Sequence, residues 1–148
     1  MRVLGLDYGD KTIGVAISDG FGWTAQGLEV IKKSSDTEYK NSILRLSKWV
    51  EEYEVDTIVL GYPKNMDNTE GIRCEKTKQF QKHLQNAFPK IPIILWDERM
   101  STMAAQRSLL EADMSRKKRK NVIDKMAAVH ILQGYLDKKQ NEKHREWS

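Results

Sequence analysis

Between residues 37 and 60 the hydrophobic period of this chain changes, and that change limits the fold more than any other feature. Before it lie three strand-like segments, Arg2 to Tyr8, Thr12 to Ser18 and roughly Leu28 to Lys32. The first two are separated only by Gly9-Asp10-Lys11, a spacing and turn chemistry that predict an antiparallel hairpin. From Thr37 to Tyr53 the apolar residues Ile43, Leu44, Leu46, Trp49, Val50 and Tyr53 then recur at helical spacing. Thr57 to Leu60 and Ile93 to Trp96 are short continuous apolar runs, as expected of strands buried on both faces. Between them a polar loop, Lys64 to Gly71, precedes a helix marked by Phe80, Leu84, Ala87 and Phe88 and ended by Pro89. Two more helices are predicted, one from Ser101-Thr102 carrying Ala105, Leu109 and Ala112, the other from Asn121 carrying Val122, Met126, Val129 and Leu136. A meander followed by alternating strands and helices predicts an α/β fold. Its five-stranded mixed sheet, antiparallel then parallel, would be flanked by helices.

At 148 residues the chain suits one domain, expected over 1–138, with a disordered tail over 139–148. No run approaches the roughly 20 apolar residues needed to span a bilayer, and Met1 leads straight into a strand rather than a signal peptide, so cytoplasmic location is expected and membrane association is not. Cys74 is the sole cysteine, which leaves no intrachain disulfide and no thiol pair for zinc, and His83, His130 and His144 are scattered.

Charge is unevenly distributed. Residues 1–113 carry 15 Lys/Arg against 17 Asp/Glu, whereas residues 114–148 carry 10 against 4. The excess centres on Arg116-Lys117-Lys118-Arg119-Lys120, read as the connection between the last two helices. Such a run attracts polyanions through counterion release, although many basic runs are merely solvated.

Acids inside apolar strands need compensation, because burying an unpaired carboxylate costs several kcal/mol. Asp7 follows Val3-Leu4-Gly5-Leu6 in an expected central strand; the alternative is a turn aspartate ahead of Gly9. Asp97 and Glu98 end another buried strand, where ligands of open α/β sheets collect, and alternation allows only one of them to share a face with the site. Periodicity does not choose between them. Asp124 follows Asn121 by three residues, as ordinary helix-start chemistry would have it, but Ala127, Ala128 and Ile131 share its helix face and would let the helix press closely on the sheet. Converging carboxylates cannot all stay ionised without cations between them. Hard divalent ions such as Mg²⁺ or Mn²⁺ take oxygen ligands, and a pair about 4 Å apart would serve phosphodiester hydrolysis.

With these residues in place, the chain resembles the YqgF/RuvX family of pre-16S rRNA nucleases, earlier described as Holliday-junction resolvases. The resemblance rests on four ordered blocks: Leu4-Gly5-Leu6-Asp7-Tyr8-Gly9 with Lys11, Ile13-Gly14-Val15-Ala16 and Ser18-Asp19; Gly61-Tyr62-Pro63-Lys64-Asn65-Met66-Asp67; Asp97-Glu98-Arg99 with Ser101-Thr102; and Asp124 with Ala127-Ala128. It implies an RNase H-like fold and catalytic, metal-binding acids at Asp7, Glu98 and Asp124, choosing Glu98 over Asp97. It also implies cytoplasmic action in ribosome maturation. Thr12, Tyr62 and Asn68 depart from the family's usual Arg, Leu and Gly, which bears on substrate contacts rather than on the acids.

Nucleic-acid contacts are expected from Lys11, Asn65, Arg99 and Arg116 to Lys120, with structured RNA, ribosome precursors or branched DNA as partners; the sequence does not give an oligomeric state. Two other classes compete. Asp7-Tyr8-Gly9 with Gly14 also resembles the phosphate loop of actin-like ATPases, which need two such lobes, and a non-catalytic module binding structured nucleic acid would keep the fold without the chemistry.

Overall fold

The computed structural model describes residues 2–35, 39–62, 71–97 and 116–147, the last segment as a helix whose side chains are described over 126–142. Five strands, β1 (Val3–Tyr8), β2 (Thr12–Ser18), β3 (Ala25–Lys32), β4 (Thr57–Tyr62) and β5 (Ile93–Asp97), form one sheet in the order β3-β2-β1-β4-β5. The meander β1-β2-β3 is antiparallel, and β4 and β5 add in parallel beside β1, which makes β1 the central strand. This is the predicted mixed sheet.

Alternation sorts β1 between two cores. Leu4, Leu6 and Tyr8 join Ile13, Val15, Ile58, Leu60 and the helices α1 (Lys40–Glu52) and α2 (Ile72–Ala87), through Leu46, Phe80 and Leu84. Val3 belongs to the other core, with Ala16, Val59, Trp96 and the helix α3 (Arg116–Trp147), through Ala128, Ile131, Leu132, Tyr135 and Leu136. Gly5 lets α3 approach: a Cβ there would lie 2.6 Å from Leu132 Cβ and 3.2 Å from the Ala128 carbonyl oxygen. The buried thiol of Cys74 is free and sits in α2.

α1 ends in a Schellman motif. Val55 N–H donates to Val50 O at 3.0 Å and Glu54 N–H to Glu51 O at 3.3 Å, with Glu54 in the left-handed region at φ 52°. β2 and β3 are joined by a turn held on one carboxylate. Asp19 accepts hydrogen bonds from Phe21 N–H (3.1 Å), Trp23 N–H (2.9 Å) and Thr24 Oγ1 (2.9 Å), and Gly22 supplies φ 73°. Those donors, the Trp23 amide foremost, hold the Asp19 carboxyl below its ordinary value. Glu29 on β3 ties down α1 by accepting from Arg45 (2.7 and 3.0 Å) and from Trp49 Nε1 (2.6 Å), and it raises the Arg45 guanidinium above its usual value.

Four boundaries differ from the sequence reading. β3 begins at Ala25, not Leu28, because Gln133 of α3 accepts a hydrogen bond from Ala25 N–H at 2.9 Å and so secures residues of low strand propensity. α1 begins at Lys40 rather than Thr37; residues 36–38 lie outside the described set. α3 begins at Arg116 rather than Asn121, so the basic run is its first turn and a half and not a connection; lysine and arginine are good helix formers, and Asn121 lies inside the helix instead of capping it. At the other end α3 continues to Trp147, across the segment expected as a disordered tail. Gln140 Nε2 donates to Gly22 O at 3.2 Å and Lys139 pairs with Glu142 at 3.9 Å, so tertiary and local contacts both extend past residue 138. The helix predicted over 101–112 lies outside the described residues.

Candidate active site

Asp7 sits one residue from the C-terminal end of β1 on the face that α3 covers, two residues beyond Gly5, and is 9% exposed. Its position is set by alternation: a strand that buries Leu4, Leu6 and Tyr8 on one side must send residue 7 to the other. Across the ladder Asp7 faces Gly14 of β2, and continuing the register Leu6↔Leu60 by one step places Gly61 of β4 on its other side. Both lateral neighbours therefore lack side chains. No side chain of either neighbouring residue crowds the carboxylate, and a hard cation on an oxygen ligand needs such room. The donor chemistry and the space around Asp7 fit a divalent ion. Among the described residues no three or more His, Cys, Asp or Glu residues come together.

The parallel strands β1, β4 and β5 end on one side of the sheet. Gly61 pairs with Trp96 and Tyr62 with Asp97, so Asp97 is level with the residue after Asp7. Ile93 and Leu95 pack into the α1/α2 core while Ile94 and Trp96 pack under α3. Alternation thus carries Asp97 to the face away from Asp7. Glu98 and Arg99 follow it and lie outside the described residues, as does Asn65 in the loop after β4.

α3 runs with its C-terminal half toward the N-terminal end of β1, since Gln133 binds Ala25 and Trp23 and Gln140 binds Gly22 at the β2–β3 turn. Its N-terminal half is accordingly directed to the end that carries Asp7. Asp124 is in that half, one helical turn before Ala128; its side chain is outside the described set, as are those of Arg116, Lys117, Lys118, Arg119 and Lys120. Lys11 is exposed in the β1–β2 turn, its carbonyl accepting from Lys33 N–H at 2.9 Å.

Three lysines at this end escaped the sequence reading. Lys33 Nζ donates to Gly9 O at 2.8 Å and stands 3.9 Å above the Tyr8 ring. Lys76 Nζ is 4.0 Å from an Asp10 carboxylate oxygen, and Lys78 Nζ lies 5.7 Å from the Tyr62 ring centre. For Lys33 a signal was present: the third strand of a meander runs parallel to the first, so a lysine just after it emerges beside Asp7's end.

A five-stranded sheet in this order, helix-covered on both faces with an acid on the central strand, is the RNase H-like architecture of the RuvC-type resolvases. Two solved structures bear out the fold. Thermus thermophilus RuvC in complex with a Holliday junction substrate superposes with a TM-score of 0.62 at 14% identity, covering 95% of this chain and 96% of that one. The yeast mitochondrial Holliday junction resolvase Ydc2 gives 0.55 at 14% identity, covering 96% and 80%. The sequence goes further. Residues 1–138 match the family described as "RuvX: Holliday junction resolvase", and the chain belongs to that family. It is 61% identical over 141 residues to a protein of Geobacillus sp. (strain WCH70) named "Putative pre-16S rRNA nuclease", covering 95% of this chain and all of the relative. A Bacillus subtilis (strain 168) relative of the same name is 56% identical over 137 residues, 93% of this chain and 98% of its own.

Proposed function

We propose that the protein is a metal-dependent nuclease that hydrolyses phosphodiester bonds, acting in the cytoplasm in 5′-end processing of pre-16S rRNA during ribosome biogenesis. The observation that carries this reading is Asp7, a buried carboxylate on the central strand with glycine on both sides. The names of the relatives support RNA as the substrate, and the family description supports a branched DNA junction as the alternative.

In this reading Asp7, Glu98 and Asp124 hold Mg²⁺ or Mn²⁺. When bound, such ions lower the pKa of a water to make it a nucleophile and neutralise charge on the scissile phosphate. Asp7 offers oxygen ligands from a strand whose hydrogen bonds on both sides keep it from moving, so its carboxylate is preorganised. The glycines leave the reacting phosphate room to approach the sheet. Lys11, Asn65 and Arg99 orient the backbone beside the acids, and Arg116 to Lys120 hold the strand beyond them. The opposite sheet face, filled by Tyr8 on Phe80 with ring centres 4.3 Å apart, excludes water from beneath the site.

The test is cleavage of a pre-16S rRNA fragment and of a four-way DNA junction by one preparation with Mg²⁺ or Mn²⁺. Metal-dependent cutting of the RNA, lost in Asp7→Asn, is expected. Cutting of the junction alone would replace the substrate assignment. Binding without cutting of either would leave a structured-nucleic-acid binding module.

A further inference from the structure

At the end of the sheet away from Asp7, the β2–β3 turn presents two large aromatic side chains to solvent. Phe21 is 78% exposed and Trp23 is 63% exposed, their ring centres 5.7 Å apart. Exposed aromatics this large mark interaction sites when they form a patch and are held in place. These are held. Asp19 fixes the amides of both residues, Gln140 of α3 donates to the Gly22 carbonyl at 3.2 Å, and Gln133 donates to the Trp23 carbonyl at 2.9 Å. The turn is preorganised from both ends, which lowers the ordering cost of binding.

What surrounds the pair defines its partner. Gly20, next to Phe21, lines a cavity of about 360 Å³ together with Arg2, Glu52, Tyr53, Glu54 and Asp56. Arg2 is engaged there already, donating to Ser18 O at 2.9 Å and lying 5.3 Å from the Tyr53 ring centre. Glu52, Glu54 and Asp56 are exposed and form no ion pair with any described residue. Aromatic faces beside unneutralised carboxylates attract guanidinium and ammonium groups, through the ring quadrupole and through charge. The same carboxylates repel phosphate, so a nucleic-acid strand fits this end poorly.

We infer that the Phe21/Trp23 turn and the acid-lined cavity beside it form a docking surface for an extended, arginine- and lysine-bearing segment of a protein partner. A cation of the segment seats among Glu52, Glu54 and Asp56, and its aliphatic stems lie over the two rings. The surface is separate from the Asp7 site and independent of what that site cleaves.

A fluorescein-labelled Arg-Gly repeat peptide, followed by anisotropy against the full chain at about 0.1 M salt, tests the inference. The parent is expected to bind it. Phe21→Ala/Trp23→Ala and, separately, Glu52→Gln/Asp56→Asn are each expected to weaken binding at least tenfold with unchanged thermal unfolding. Failure of the parent to bind, or equal affinity in either variant, overturns the proposal. So does loss in Phe21→Ala/Trp23→Ala of affinity for a single-stranded oligonucleotide, which would make the pair a base-stacking platform, or of a dimer seen by sizing, which would make it a contact between copies of this chain.

Discussion

Glu54 stands at the helix C′ position, where glycine is usual because it alone adopts φ near +50° without steric cost. An L-residue there costs roughly 1–2 kcal/mol. Glu54→Gly is therefore expected to raise stability by about 1 kcal/mol, read as a shift of the urea midpoint with unchanged slope. Asp7 belongs to the same scale but to the opposite case. Nothing local forces an acid into a strand of Val, Leu and Gly, so Asp7→Asn is expected to keep the fold and abolish metal-dependent cleavage. A variant that unfolds would instead identify Asp7 as a structural hydrogen-bonding residue. Asp7 was legible in the sequence because an acid within an apolar run is conspicuous. Periodicity alone did not choose between Asp97 and Glu98, since it gives the alternation of a strand but not its phase; the packing of Leu95 and Trp96 on opposite faces puts Asp97 on the face away from Asp7, while Glu98 lies outside the described residues.

At the level of elements, Asp19 organises the β2–β3 turn through three hydrogen bonds, and its carboxyl is held below the ordinary value of 3.8. A depressed folded-state pKa adds stability that is present above the unfolded value and lost as pH falls through the folded one. Asp19→Ala should therefore lower the melting temperature at pH 7, and the gap to the parent should close as pH drops below 3.8; a gap independent of pH would assign the effect to the backbone alone. Strands were the best-read elements, because hairpin spacing and continuous apolar runs report pairing directly. Helix starts were the worst. Asn121 with an acid three residues on has the chemistry of an N-terminus, yet α3 passes through it, since Arg116 to Lys120 propagate a helix as readily as they would form a loop. The basic run thereby belongs to the helix, and replacing three of its residues by Ala is expected to flatten the salt dependence of nucleic-acid binding by roughly 2–3 units of log–log slope. An unchanged slope would show that the run makes no contact with the strand.

For the whole molecule, the contact between Gly5 and α3 sets the spacing of the layers. Gly5→Ala would bring two Cβ atoms within 2.6 Å, and overpacking of this kind costs about 1–3 kcal/mol. Leu132→Ala is not expected to rescue it, because alanine keeps the Cβ that clashes; a double-mutant cycle on thermal unfolding measures this directly. Recovery in the double variant would mean that the outer Leu132 side chain, not the backbone separation, is the obstacle.

α3 is a rod about 48 Å long, and its midpoint falls on Leu132, where it rests on Gly5. Eight residues separate that support from Asp124 on one side and from Gln140 on the other, so the two arms are equal, each about 12 Å. Ala128, Ile131, Tyr135 and Leu136 are buried beside Leu132, so the rod is seated on the sheet along more than two turns rather than at a single point.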